Sequence, residues 1–128
     1  MIIPCREKVL QLHERLTFLT GGSAGIRDEG MLDSALESVH AGFGGREFYP
    51  TVEEKGARLG YALISDHAFV DGNKRIGVLL MLVFLEVNGV RVRCDDEELV
   101  RVGLSVADGS MRYPQLLDWV REHGTMID

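Results

Sequence analysis

Between residues 67 and 75 the chain reads HAFVDGNKR, which sets an imidazole, a carboxylate, a carboxamide and two cations around one short segment. His67 offers a base that exchanges protons near neutral pH. Asp71, Gly72 and Asn73 favour turn or cap geometry, and the run IGVLLMLVFLEV behind them favours a helix starting near Asn73. A chain that turns at Gly72 into such a helix aims unpaired backbone N–H groups and the positive helix end at whatever docks there, which suits a phosphate. Lys74 and Arg75 add positive charge at the same place. Asp71 would repel a bare phosphate, but a Mg²⁺ ion shared between its carboxylate and phosphate oxygens reconciles the two. His67 is then placed to take the proton of an attacking hydroxyl in phosphoryl transfer, and Asn73 to orient a phosphate or a metal-bound water. The same residues also suit an ordinary turn, in which His67 satisfies a helix-end carbonyl and Lys74 and Arg75 face solvent. Phe69 reads as a core anchor, and Ala68 and Val70 as packing or spacing residues.

The elements around this segment follow from periodicity and punctuation. Pro4 suits a first helical turn, and Val9, Leu12, Leu16 and Leu19 predict a helix over about 4–19, ended by GGSAG. Leu32, Ala35, Leu36 and Val39 predict a second over about 29–39. The glycines and aromatics of residues 41–50, AGFGGREFYP, suit a bent loop or small hairpin. Thr51 and Glu54 form a capping-box pattern for a helix stopping near Ala68. The central helix is expected over about 73–88; its apolar residues occupy nearly every face, so neighbours should surround it. VRVRC suggests a short extended segment, Asp95 and Glu98 an acidic helix start running to near Gly109, and Pro114 a last helix with Leu117, Trp119 and Val120 inward. The expectation is a compact all-α bundle of about six helices with a loop or hairpin, forming a single domain over residues 1–128.

Composition narrows the partners. With 20 acidic against 14 basic residues the formal charge is -6, so nothing global attracts nucleic acid or an anionic membrane. Cys5 and Cys94 lack metal-ligand or redox spacing, which points to a reducing, cytoplasmic setting and to incidental thiols. The N-terminus has no basic region followed by a long apolar stretch, and the apolar run 76–85 is shorter than the ~20 residues that span a bilayer. His13, on an amphipathic helix, and His40 and His123 read as structural or surface residues.

HAFVDGNKR resembles the signature of the death-on-curing (Doc) branch of the Fic superfamily, His-x-Phe-x-Asp-(Ala or Gly)-Asn-Lys-Arg. LHERL, IRDEGMLDSAL, FGGREFYPTVEEK and FLEVNG extend the resemblance over most of the chain, with the last ~25 residues weakest. It implies a helical Fic/Doc-like fold and a toxin neutralised in trans by a small antitoxin protein. The implied activity is a protein kinase moving the gamma-phosphate of ATP to a hydroxyl of a translation protein such as elongation factor Tu.

Carried over by position, the resemblance makes His67 the general base and Asp71 the Mg²⁺ ligand, with Gly72, Asn73, Lys74 and Arg75 placing nucleotide phosphates. The segment Phe43, Gly44, Gly45, Arg46, Glu47, Phe48 and Tyr49 resembles the family flap, which aligns a target peptide by pairing with its backbone. Arg27 and Asp28, in a family-like G-I-R-D turn, are expected to stabilise the fold. AMP-transferring Fic enzymes resemble H-x-F-x-(D/E)-G-N-G-R-x-x-R, whereas this chain has Lys74 at the second glycine and Val78 at the last arginine. Adenylyl transfer is therefore the alternative activity, and a noncatalytic antitoxin-binding or protein-binding module the alternative class. No internal Ser/Thr-x-x-x-Glu-(Gly/Asn) inhibitory helix is recognised, which agrees with control in trans.

Overall fold

The structure, a computed structural model, describes residues 1–127. Its helices are α1 (Arg6–Thr20), α2 (Glu29–Glu37), α3 (Val52–Ser65), α4 (Asn73–Val87), α5 (Asp96–Ala107) and α6 (Tyr113–His123). A 3-10 turn, Ser38–His40, follows α2 where the sequence suggested two further helical residues. Pro4 lies outside α1, whose N-cap is Cys5 in extended conformation. Side chains cap three of the starts: Asp28 accepts from Met31 N at 3.0 Å, Thr51 from Glu54 N at 3.2 Å and Asp95 from Glu98 N at 2.8 Å.

Two antiparallel strand pairs complete the fold. β1 (Gly42–Phe43) and β2 (Arg46–Glu47) form the expected small hairpin, turning through Gly44 and Gly45 at φ 61° and 79°. Both values are positive, as a two-residue turn matched to strand twist requires. β3 (Val90–Val92) pairs with β4 (Gly124–Met126), so the chain end returns to the exit of α4. That pairing joins segments far apart in sequence, and GTM carries no strand pattern of its own.

The antiparallel pair α3 and α4 is the frame on which the other helices pack. Its contact face is held close by glycines: a methyl group on Gly56 would meet Leu85 Cδ2 at 2.6 Å, and one on Gly77 would meet Ile64 Cγ1 at 2.5 Å. Leu63, Ile64, Ile76, Leu80, Phe84 and Leu85 are buried along this seam. The expectation that neighbours surround α4 does not hold. Val83 and Val87 are exposed, and Val78, Leu79 and Leu82 are only partly covered. α1 and α5 flank α4 and leave an apolar groove of about 680 Å³, lined in part by Leu16, Val78, Leu79, Leu99, Gly103 and Leu104. No helix among the described residues is long and apolar enough to cross a membrane.

Alanine at position 77 is a better intrinsic helix former than glycine by about 1 kcal/mol, yet its methyl group has no room against buried Ile64. Gly77→Ala is therefore expected to lower unfolding free energy by about 1–3 kcal/mol in urea denaturation. A neutral or stabilising result would show that the seam is looser than described.

Candidate active site

Residues 66–72 join the end of α3 to the start of α4, and the strap formed by residues 25–28 clamps them. Ile26 bridges Phe69 in antiparallel fashion, Val70 N donates to Gly25 O at 2.9 Å, and Arg27 N and Asp28 N both donate to Ala68 O, at 2.8 and 3.1 Å. From inside the loop, Asn73 closes the turn. Its Oδ1 accepts from Phe69 N at 3.0 Å and its Nδ2 donates to Phe69 O at 3.0 Å. The carboxamide expected to orient a phosphate is thus engaged with the backbone, and its effect on a ligand runs through the shape of the turn.

His67 stands at the exposed rim of this loop with φ 49°, the only positive φ at a non-glycine among the described residues. A left-handed conformation costs a side-chain-bearing residue about 1–2 kcal/mol, so something must hold it. Arg27 does: Nε donates to His67 O at 2.6 Å and Nη2 to Asp66 O at 3.2 Å. The backbone is fixed, while the exposed imidazole has no hydrogen-bond partner among the described residues. Two residues on, the Phe69 ring is buried and stacks on His13 with centroids 3.8 Å apart.

Gly72, at φ 78°, is the N-cap of α4, and no side chain caps that helix. Its first N–H groups consequently face outward with the positive end of the helix dipole. The exposed Asp71 side chain lies beside them, Oδ1 accepting from Gly72 N at 2.9 Å. Arg75 folds back to the same spot: a methyl group on Gly22 would come within 2.5 Å of Asp71 Oδ2 and 3.6 Å of Arg75 Nη2. Asp71, Gly72 and Arg75 therefore converge, with Gly22 as a bare backbone wall. Lys74 is exposed at the mouth of the apolar groove toward α5. Among the described residues no group of three or more His, Cys, Asp or Glu side chains forms a metal cage. A carboxylate set beside a helix start with free N–H groups fits Mg²⁺, which binds through one or two carboxylates plus phosphate oxygens and water.

The flap hairpin is exposed at Phe43, 83%, and at Phe48, 57%, but anchored at its base. Lys55, buried on α3, donates to Val39 O at 2.9 Å and to Glu47 Oε1 at 3.0 Å, so Glu47 is a tether. Beyond it Tyr49 packs edge-on against Tyr113, and Arg58 lies over the rings of Tyr49 and Tyr61. Burial, with help from Glu54 and Tyr49, pushes the Tyr113 hydroxyl up to about 12. Burial also raises the Asp66 carboxyl, opposed by the charges of Arg58 and His67.

Other polar residues sit apart from this site. His123 ties α6 to α5 through Glu98 at 2.9 Å, and its Nδ1 lies 2.8 Å from Trp119 O within α6. Burial and the carboxylates of Glu98, Asp95 and Asp96 hold the Cys94 thiol above its ordinary range, as suits an inert thiol. Arg27 and Asp28 stabilise the fold as the G-I-R-D turn suggested, whereas the contacts of His13 and Gly22 with the loop were missed by sequence reasoning. The dense glycines of GGSAGIRD were the available signal, but they also suit a plain helix end.

A family model described as "Fic/DOC family" matches residues 4–85, a span holding the strap, the flap and the whole loop. The chain is 40% identical over 75 residues to "Toxin Doc" of Mycolicibacterium smegmatis, a match covering 59% of this chain and 58% of that protein. It is 30% identical over 115 residues to "Protein kinase doc" of Escherichia phage P1, covering 90% of each. The chain belongs to the Fic/DOC family, on its Doc branch.

Asn73→Ala removes both partners of the buried Phe69 backbone. It is expected to cost about 2 kcal/mol of stability, the penalty of stranding such groups, read by urea denaturation. A loss below about 0.5 kcal/mol, within the range of an ordinary surface change, would show that the carboxamide does not hold the turn.

Proposed function

We propose that this chain is the toxin of a toxin–antitoxin pair and a cytoplasmic protein kinase, moving the gamma-phosphate of ATP to a Ser or Thr hydroxyl of a translation protein such as elongation factor Tu. The observation that carries the reading is the convergence of Asp71, Gly72 and Arg75 at the uncapped start of α4, on the same braced loop as the exposed His67. The name of the phage relative, a protein kinase, supports it. So does Lys74, which stands where the AMP-transferring motif has glycine and adds bulk and charge to the first turn of α4.

In this reading the N–H groups of the first α4 turn and the Arg75 guanidinium hold the ATP phosphates. Asp71 would hold Mg²⁺, which supplies neutralising charge to those phosphates when bound. His67 takes the proton of the target hydroxyl as its oxygen bonds to the gamma-phosphorus; the bond to the beta-phosphate oxygen breaks and ADP leaves. His67 then returns its proton to water. The flap aligns the target by pairing along an open edge of its hairpin, with Phe43 and Phe48 giving apolar grip. The antitoxin supplies an amphipathic helical segment to the groove between α1, α4 and α5. Lys74 and Arg75 at the groove's end place that segment next to the phosphate site.

The test incubates the purified chain with ATP, Mg²⁺ and elongation factor Tu and reads the target by intact and peptide mass spectrometry, with His67→Ala as control. A gain of ~80 Da that requires His67 is expected. A gain of ~329 Da would replace phosphorylation with adenylyl transfer. No gain would overturn the choice of this target and turn attention to the noncatalytic binding module.

A further inference from the structure

The mechanism above leaves unused a buried histidine that touches the active loop twice. The inward face of α1 is Val9, His13 and Thr17, one residue per turn, and His13 is only 1% exposed. An apolar residue would fill that place at lower desolvation cost unless the imidazole had polar work to do. His13 Nε2 lies 2.7 Å from the carbonyl oxygen of Asp71, 58 residues away. A carbonyl only accepts, so Nε2–H donates. The face of the same ring rests on Phe69 at 3.8 Å with the planes 15° apart, which fixes the direction in which Nε2 points.

The bonded carbonyl belongs to the peptide unit that also carries the Gly72 N–H, and planarity makes the two move as one. With the carbonyl drawn toward His13, that N–H points to Asp71 Oδ1 at 2.9 Å and holds the carboxylate. Gly72 has no side chain to resist rotation, and its φ of 78° belongs to a region glycine enters and leaves freely. The orientation of this peptide must therefore be imposed from outside, and His13 is the donor that does so.

We propose that His13 is a positioning residue, which sets the Asp71 carboxylate by locking the Asp71–Gly72 peptide. The claim that this matters for metal rests on the reading of Asp71 as the Mg²⁺-facing carboxylate; the lock itself does not. The test uses the full chain with His13→Phe, which keeps the stack on Phe69 and loses the donor, and His13→Gln, which restores a donor. In the ligand-free protein, the Gly72 amide is expected to give one sharp NMR signal in wild type and to broaden by exchange in His13→Phe. In calorimetry His13→Phe is expected to weaken ATP binding about 10-fold or more when Mg²⁺ is present, and to leave ATP binding without Mg²⁺ within about twofold of wild type. His13→Gln is expected to recover a sharp Gly72 signal and most of the Mg²⁺-dependent affinity.

A Gly72 signal unchanged in His13→Phe, or a His13→Gln variant as defective as His13→Phe, would overturn the lock. Were His13→Phe not to fold, scalar coupling across the hydrogen bond from His13 Nε2 to the Asp71 carbonyl carbon decides the matter in wild type, its absence overturning the proposal. A wild-type chain that binds no ATP with Mg²⁺ would defeat the kinase reading alone, and the Gly72 signal would still judge the lock.

Discussion

Phe69 is 1% exposed, and a residue buried that deeply must find partners for its own N–H and C=O. Asn73 supplies both, four residues later and at 3.0 Å each. The ring can then act as an anchor under the loop without stranding the backbone that carries it. This closure determines where α4 begins, and the beginning of α4 determines where its free N–H groups and Arg75 stand. The uncapped end of α4 and His67 thus stand at the two ends of one short turn, held by one carboxamide.

Around that turn the bracing comes from two segments, the strap and α1. The strap at residues 25–28 holds Ala68 and Val70 through backbone bonds, Arg27 holds His67 in a conformation it would otherwise leave, and His13 supports Phe69 and Asp71 from below. Apart from the ring stack of His13 on Phe69, these contacts fall on backbone, and the exposed His67 side chain takes no part in them. A site built this way pays its ordering cost during folding rather than on substrate binding, which is the condition for precise placement in group transfer. The flap follows a different logic. Its base is fixed by Lys55 and Glu47, while Phe43 beside the turn and Phe48 at the base are open to solvent.

The helices and the loop were legible in sequence because their signals are local. Thr51 and Glu54, Asp95 and Glu98, and the nine residues 67–75 each act within one or two turns of chain. Gly44 and Gly45 marked the hairpin for the same reason. What escaped depends on contacts between distant segments. His13 looks like any polar residue on an amphipathic helix until α1 is laid across the loop, and GTM becomes a strand only because VRV lies beside it. The uncovered side of α4 was misjudged because hydrophobicity tells that a face prefers burial and not whether this chain supplies the cover. The sequence marks Asn73 but not its partner, because an amide suits a phosphate and a peptide equally well.

A crystal structure with Mg²⁺ and a non-hydrolysable ATP analogue tests the central claim most directly, that one braced loop carries both the base and the phosphate site. The account predicts phosphates against the first α4 turn and Arg75, a single protein ligand to Mg²⁺ from Asp71, and the gamma-phosphorus as the atom nearest the open side of His67. Nucleotide bound away from residues 67–75, or bound there with its alpha-phosphorus toward His67, would contradict it.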